Sequence, residues 1–156
     1  MATLHLMVGL PGSGKTTFAK KLAKQENAVL FSPDDWQFKL FGNDINQPTH
    51  DENHTKIEEL MWDVAKDILK TGTDVILDFG CWAKEERDTF RNKAHNVGAG
   101  FKIHFMNTPV EEIWARLEKR NNMAGQNGVF YVKKEELEVW SSMFQKPTEE
   151  ELEQSL

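Results

Sequence analysis

Short apolar runs alternate along the chain with stretches in which apolar residues recur every three or four positions. The runs predict four strands, at 4–8, 28–31, 75–77 and 101–106. Their near-continuous hydrophobicity is typical of strands that are covered on both faces. The longer spacing predicts helices at 15–25, 55–69, 84–97, 110–120 and 133–144. Such alternation indicates βαβ units, and therefore an α/β fold with three layers around a mainly parallel central sheet.

Two polar segments interrupt this pattern, and neither divides the chain into domains. Residues 42–53 are rich in turn formers, which predicts a functional loop. The acidic stretch 147–156 predicts a tail that is poorly ordered at its end. Since no linker or repeat is visible, we expect a single domain over residues 1–156.

Composition and charge exclude several classes of protein. The 156 residues are 39% hydrophobic, and no apolar run approaches the length of a membrane span, about 18 residues. The N-terminus lacks a basic region, so we expect no signal peptide, a cytoplasmic location and no membrane partner. A formal net charge of −6 disfavours long nucleic acids as partners. The single cysteine, Cys81, excludes a disulfide framework, and we expect it to be a small packed residue.

A glycine-rich segment follows the first predicted strand and opens the first predicted helix. It reads Gly9-Leu10-Pro11-Gly12-Ser13-Gly14-Lys15-Thr16-Thr17 and matches G-x-x-x-x-G-K-[ST] in full. The glycines let backbone N–H groups curl around an anion, and the helix N-terminus adds a partial positive charge. Lys15 reaches the β and γ phosphates in this motif, and the Thr16 hydroxyl is placed to bind Mg²⁺. The sequence therefore predicts a nucleoside triphosphate site.

The nucleotide is expected to be ATP, bound with Mg²⁺. A GTP site requires an N-K-x-D element, and the nearest match, residues 92–95, lacks the Asp and falls within a predicted helix. Asp78 ends an apolar strand, a position that places a carboxylate beside the metal. The alternative is that Asp78 only caps the following turn.

Acidic residues also follow the second predicted strand, in Ser32-Pro33-Asp34-Asp35-Trp36. In a parallel sheet this strand end faces the same crevice as the phosphate loop, where a carboxylate is able to orient an acceptor hydroxyl. We assign that role to Asp34, with Asp35 as a weaker candidate for binding the acceptor. The alternative is that both acids cap the short helix through Trp36 and Phe38.

Cations for the transferred phosphate are expected from Arg116 and Arg120, which lie one helical turn apart. They precede a loop at about 120–130 that is rich in Asn and Gly, which predicts a lid that closes over ATP. The alternative is a solvated helix face on which these arginines pair with Glu112 and Glu118.

These segments together resemble a family of small bacterial P-loop ATP-binding proteins that are predicted to be kinases. The wider group includes the 5′-kinase domain of polynucleotide kinases, chloramphenicol phosphotransferase and the zeta toxins. The resemblance rests on the phosphate loop, the Ser32–Trp36 segment, Leu77-Asp78-Phe79-Gly80-Cys81-Trp82, Glu86-Arg87-Asp88 and Arg116-Leu117-Glu118-Lys119-Arg120-Asn121. It implies a P-loop NTPase sandwich of the nucleoside- and nucleotide-kinase type with four or five strands. It also implies that Asp34 is the acceptor base and that Arg116 and Arg120 stabilise the transferred phosphate.

The chain departs from polynucleotide kinases beyond the second strand. Those enzymes resemble it around Asp34 but carry an Arg three residues later, where this chain has Gln37. Together with the net negative charge, this difference disfavours a nucleic-acid acceptor.

The acceptor side of the site is less well defined by the sequence. Trp36, Phe79 and Trp82 follow strands at the active edge and are candidates for an aromatic acceptor pocket, with core packing as the alternative. Arg87 is a further candidate for binding the acceptor or the γ-phosphate, with pairing to Glu86 and Asp88 as its alternative. His50 and His54 flank two acids, but no third soft ligand accompanies them, so we expect no metal site there.

The sequence thus predicts a kinase that transfers the γ-phosphate of Mg-ATP to a hydroxyl of a small molecule. We expect a monomer or a weak homodimer. One alternative is a kinase acting on a nucleotide or an RNA end. The other is a nucleotide-dependent switch that binds and slowly hydrolyses ATP without an acceptor.

Overall fold

The computed structural model describes residues 1–42, 47–123 and 131–153, and every statement below concerns these residues. The strands are β1 (Thr3–Val8), β2 (Val29–Phe31), β3 (Val75–Gly80) and β4 (Gly100–Phe105). The helices are α1 (Lys15–Glu26), α2 (Pro33–Phe41), α3 (His50–Lys70), α4 (Lys84–Asn96), α5 (Val110–Asn121), α6 (Lys134–Met143) and α7 (Glu149–Glu153).

The four strands form one parallel sheet in the order β2-β3-β1-β4. In the centre, Leu6 of β1 lies opposite Leu77 of β3 and Ile103 of β4. Because all strands run the same way, the loops after β1, β2 and β3 meet at one edge of the sheet. The phosphate loop, the start of α2 and the β3–α4 connection are therefore neighbours.

Both faces of the sheet are buried, as the continuous apolar runs predict. Leu4, Leu6 and Val8 of β1 pack into the larger core, which α3 closes with Met61 and Ala65. On the other face, Met7 and Ile76 pack against Ala19 and Leu22 of α1. A third cluster joins Leu10 of the phosphate loop to Ile113, Leu117 and Leu137 of α5 and α6. The three-layer α/β architecture with a mainly parallel sheet is confirmed.

The predicted polar segments are partly helical, which corrects the extent of the loop expected at 42–53, whereas the poor order expected at the end of the acidic tail falls on residues that are not described. Helix α3 begins at His50, inside the stretch predicted as a loop, and Asp51 and Glu52 in its first turn favour a helix N-terminus. Residues 43–46 lie outside the described residues. Residues Glu149–Glu153 of the acidic stretch form α7. Glu151 is buried there because its carboxylate pairs with a buried side chain of the core. Residues 154–156 are also outside the described part.

Strand β3 runs to Gly80, three residues beyond its predicted end, so Asp78 lies within the strand. Among the described helices, none is both long and apolar enough to cross a membrane.

Candidate active site

The phosphate loop connects β1 to α1 in a backbone conformation that requires glycine at two positions. Gly12 and Gly14 have φ values of 80° and 98°, in the left-handed region. A Cβ on Gly12 would also lie 2.9 Å from Cγ of Leu117, so α5 packs directly on this residue. The turn is closed by the Ser13 N–H, which donates to the Leu10 carbonyl at 3.1 Å. The loop thus leads directly into the start of α1, where the helix dipole favours an anion.

Three hydroxyl and carboxylate groups converge beside this loop. The Thr16 hydroxyl donates to Oδ2 of Asp78 at 2.7 Å, and the Ser32 hydroxyl reaches the same oxygen at 3.4 Å. The other oxygen of Asp78, Oδ1, is buried and has no hydrogen-bond partner within the described residues. Hard oxygen donors with one unsatisfied carboxylate oxygen fit Mg²⁺, which prefers such ligands. Ser32 was not predicted as part of this group, although its place directly after β2 was the available signal.

A cleft of about 420 Å³ opens between the phosphate loop and helices α2, α3 and α4. Lys15, Thr16 and Asp78 line it, and so does Asp34. Half of the remaining lining residues are aromatic or acidic, namely Phe79, Trp82, Phe90, Glu58 and Glu86. The structure therefore brings the predicted phosphate-binding residues and Asp34 to one cavity.

Asp35 and Trp36, which follow Asp34 in the chain, do not line the cleft. Asp34 and Asp35 are both exposed in the first turn of α2, but Asp35 is not among the residues that line the cleft. Trp36 packs against the main core, with its ring edge-on to Phe31 at a centroid distance of 6.1 Å. Of the predicted acceptor-binding residues, only Phe79 and Trp82 face the cavity. Asp35 and Trp36 lie elsewhere because successive helical residues point in different directions.

His54 lines the same cleft and is fixed by two hydrogen-bond acceptors. The side chain of Gln37 is 1% exposed, and its amide nitrogen donates to the His50 carbonyl at 3.0 Å. This orients its oxygen toward Nδ1 of His54 at 3.2 Å, while Nε2 of His54 lies 2.7 Å from a carboxylate oxygen of Glu58. Both ring nitrogens therefore donate, which requires the imidazolium form.

The charges around His54 agree with this assignment. Burial disfavours the imidazolium, but the hydrogen bond and charge of Glu58, with the charges of Asp34 and Asp51, together raise the pKa of His54 above its ordinary value. The pKa of Glu86 is raised by burial and by the nearby Glu58. The sequence around His54 suggests only a metal site, which is not expected there because a third soft ligand is lacking. The network also involves Gln37, on a separate helix, so no local pattern identified it.

Arg116 lies against the phosphate loop. Its Nη1 donates to the Gly12 carbonyl at 3.3 Å, and its Nη2 donates to Glu112 at 2.7 Å. The alternative pairing with Glu112 is thus present, and the arginine also contacts the loop, while its role toward the transferred phosphate stays a prediction. Arg120 is exposed in the last turn of α5, next to the predicted lid. Most of that lid, residues 124–130, lies outside the described residues.

Comparison with known families shows to which family this chain belongs. A family model described as an AAA domain matches residues 4–147. The chain belongs to this family. The match spans all four strands and includes the phosphate loop, Asp34, Asp78 and Arg116.

Solved structures similar to this AAA domain are P-loop kinase-like in fold. A chain of the Pnkp1/Rnl/Hen1 RNA repair complex is 25% identical with a TM-score of 0.72, covering 91% of this chain and 43% of that one. Kti12 of Chaetomium thermophilum, in complex with ADP-AlF3, is 20% identical with a TM-score of 0.64, covering 93% and 81%. A gluconokinase from Sinorhizobium meliloti 1021 is 16% identical with a TM-score of 0.61, covering 97% and 78%. The chain thus spans less than half of the RNA repair chain.

Arg87 of this AAA domain is not available to a substrate, which makes that prediction wrong. Its side chain is 0% exposed and forms a bidentate ion pair with Glu151 of α7, at 3.0 and 3.2 Å. The predicted local partners Glu86 and Asp88 are not the ones it uses. Because Glu151 is 64 residues further along the chain, spacing alone gave no indication of the pair.

Proposed function

We propose that this AAA domain is a kinase that transfers the γ-phosphate of Mg-ATP to a hydroxyl of a small molecule. The observation that carries the proposal is the shared cleft, which Lys15, Thr16, Asp78 and Asp34 all line. A pure ATP-binding module does not need a further carboxylate after β2 in the cleft of its phosphate loop. A phosphotransferase does, because the acceptor hydroxyl has to be oriented and relieved of its proton.

On this proposal the phosphate loop binds the triphosphate through its backbone N–H groups and the Lys15 ammonium. Thr16 and Asp78 are the residues that would hold Mg²⁺, which neutralises charge on the phosphates when it is bound. Arg116, already seated on the Gly12 carbonyl, and Arg120 add positive charge on the α5 side of the loop. These charges stabilise the transferred phosphoryl group as its bond to ADP weakens.

The lining of the cleft favours an acceptor that supplies hydrogen-bond donors. The side-chain donors of Thr16, Thr89 and His54 are already used within the protein. Asp34, Glu58 and Glu86 instead offer carboxylate oxygens, and Phe90 provides an apolar wall. A polyol or an amino alcohol complements such a surface, whereas an acceptor that carries phosphates meets like charge.

A kinase acting on an RNA end is the second candidate, since a chain of an RNA repair complex is 25% identical over 91% of this chain. The carboxylates of the cleft argue against it, and Gln37 is buried beside His54 and does not face a ligand. Binding of an RNA end would weaken steeply as salt concentration rises, in proportion to the number of phosphates contacted.

The test is ADP release from Mg-ATP across a panel of polyols, amino alcohols, nucleosides, sugars and short oligonucleotides. We expect a neutral or cationic alcohol to raise turnover well above the rate with water alone. Asp34→Asn should lower that stimulated rate by roughly 10²- to 10⁴-fold while ATP affinity stays within about threefold. Asp35→Asn is the matched control, because it removes the same charge one residue outside the cleft.

Three outcomes would contradict the proposal. Stimulation by oligonucleotides alone would favour the RNA-end kinase. A flat panel with tight ATP binding would favour a nucleotide-dependent switch. Equal rates for wild type and Asp34→Asn would remove Asp34 from the reaction.

A further inference from the structure

Arg87 is the largest fully buried side chain of the described core, and all of its hydrogen bonds lead to two segments. Nε and Nη2 donate to the two carboxylate oxygens of Glu151, and Nη1 donates to the carbonyls of Cys81 and Trp82, each at 3.1 Å. A guanidinium matches this set because its donors diverge in a rigid plane. Arg87 thus connects α7 to the loop that follows β3.

Residues 145–151, which we call the C-terminal strap, hold Glu151 in place and contact the same loop independently. Oε2 of Glu151 accepts from the Thr148 N–H at 2.9 Å, and the Thr148 hydroxyl accepts from the Glu151 N–H at 3.2 Å. This reciprocal pair is a capping box that orients the carboxylate. Gln145 adds two bonds, from its N–H to the Trp82 carbonyl and from the Lys84 N–H to its side-chain oxygen, both at 2.9 Å.

The loop that the strap contacts forms one wall of the cleft. Gly80, Cys81 and Trp82 line the cavity, and the Gly80 carbonyl accepts from the Gly9 N–H of the phosphate loop at 3.1 Å. Cys81 has φ 38°, in the left-handed region that residues with a Cβ seldom adopt. Such a conformation persists where surrounding bonds over-determine it. Here the bonds from Arg87 to the carbonyls of Cys81 and Trp82 do so.

The carboxylate that completes this arrangement lies outside the family match, which ends at residue 147. We propose that the C-terminal strap is part of the active-site architecture: Glu151 fixes Arg87, and Arg87 fixes the Cys81–Trp82 backbone beside Lys15. Arg87 and Glu151 are then positioning residues. The structural part of this inference stands alone, and only its catalytic consequence rests on the proposed function.

Cys81 allows the inference to be tested without an acceptor, because it is the only cysteine in the chain and is 5% exposed. The test measures the rate at which a thiol reagent labels Cys81 at pH 8, normalised to the rate in urea. We expect Glu151→Gln to raise the normalised rate at least tenfold by releasing the loop. Glu153→Gln, which removes an exposed charge from the same helix, should label at the wild-type rate.

A double variant separates positioning from general stability. Arg87→Met with Glu151→Leu replaces the buried pair by apolar side chains of similar size, a change that buried ion pairs often tolerate. We expect it to fold, with a wild-type circular dichroism spectrum, but to label as fast as Glu151→Gln, because the Cys81 carbonyl loses the bond from Arg87 and the Trp82 carbonyl keeps only the bond from the Gln145 N–H. Its acceptor-stimulated kcat should fall at least tenfold while the Kd for Mg-ATP changes less than threefold.

If the folded double variant labelled Cys81 at the wild-type rate, the proposal would be overturned. Arg87→Lys keeps the buried charge without the forked donors, so rapid labelling is expected from it too, and it decides the question if the double variant does not fold. If no compound stimulates the wild-type enzyme, the proposed function fails, while the labelling rates still support or refute the strap.

Discussion

At the scale of single residues, Gly12 is the point where the phosphate loop packs against the side chain of Leu117. Its φ is 80°, and a Cβ added there would lie 2.9 Å from the side chain of Leu117. Gly12→Ala is therefore expected to lower the free energy of unfolding by about 3 kcal/mol, from left-handed strain and overpacking combined. Gly72→Ala is the matched control, since φ is 90° there but nothing lies within 4 Å, and about 1 kcal/mol is expected.

The two variants are compared by urea unfolding and by ATP titration calorimetry. Gly12→Ala should also weaken ATP binding, because Leu117 displaces the loop. Equal losses of stability in the two variants would show that the contact with Leu117 has no effect.

Residues whose chemistry depends on a local pattern were predictable, and those that depend on distant partners were not. Lys15, Thr16 and Asp78 belong to short segments with a defined relation to a strand, and the structure places all three at one cleft. Arg87 was predicted to bind the substrate, because its partner Glu151 is 64 residues away and no local pattern indicates that pair. A buried ion pair with so large a separation leaves no periodicity to detect.

At the scale of an element, strand β4 carries His104, whose lowered pKa contributes to the pH dependence of stability. Burial, with the nearby charges of His5 and Lys102, lowers the pKa of His104 from 6.5 to about 4. Nε2 of His104 lies 3.0 Å from Nδ1 of His5, whose other nitrogen faces Asp74 at 3.3 Å. Between pH 6.5 and 4, His104 is protonated in the unfolded chain but stays neutral in the folded chain. The free energy of unfolding therefore decreases as the pH falls through this range.

The expected result is a urea midpoint that drops between pH 7 and pH 4.5, with a smaller drop in His104→Gln. His95→Gln removes an exposed histidine from α4 and serves as the control. If both variants followed the wild-type curve, acidic residues and not His104 would account for the response.

The elements themselves were predictable to the extent that hydrophobic spacing defines them. All four strands and helices α1, α3, α4, α5 and α6 were found this way, whereas α2 entered only as the alternative explanation of Asp34 and Asp35. Helix α3 begins earlier than predicted, because its first turn is polar and is stabilised by charges at a helix N-terminus. Helix α7 was missed because its short acidic sequence has no apolar stripe, and the buried carboxylate of Glu151 pairs with a residue far away in the chain.

At the scale of the whole molecule, ligand binding to the folded chain should raise its thermal stability. Mg-ATP at 100 times its Kd adds about 2.7 kcal/mol if it binds only the native state. For a protein of this length that corresponds to an increase in Tm of roughly 5–10 °C. Differential scanning calorimetry of wild type and Lys15→Ala at the same ATP concentration checks this. An equal shift in both would place the nucleotide away from the phosphate loop.

The order of the strands has a consequence for how copies of the molecule behave toward one another. In the described part of the chain β2 and β4 are the outer strands, and an outer strand offers backbone groups on which a foreign strand is able to pair. Strand β2 is only three residues long, and Lys102 places an exposed charge in the middle of the apolar β4. The short length of β2 and the charge on β4 therefore oppose aggregation through extension of the sheet, while the predicted phosphate-binding residues lie at the carboxyl ends of the strands.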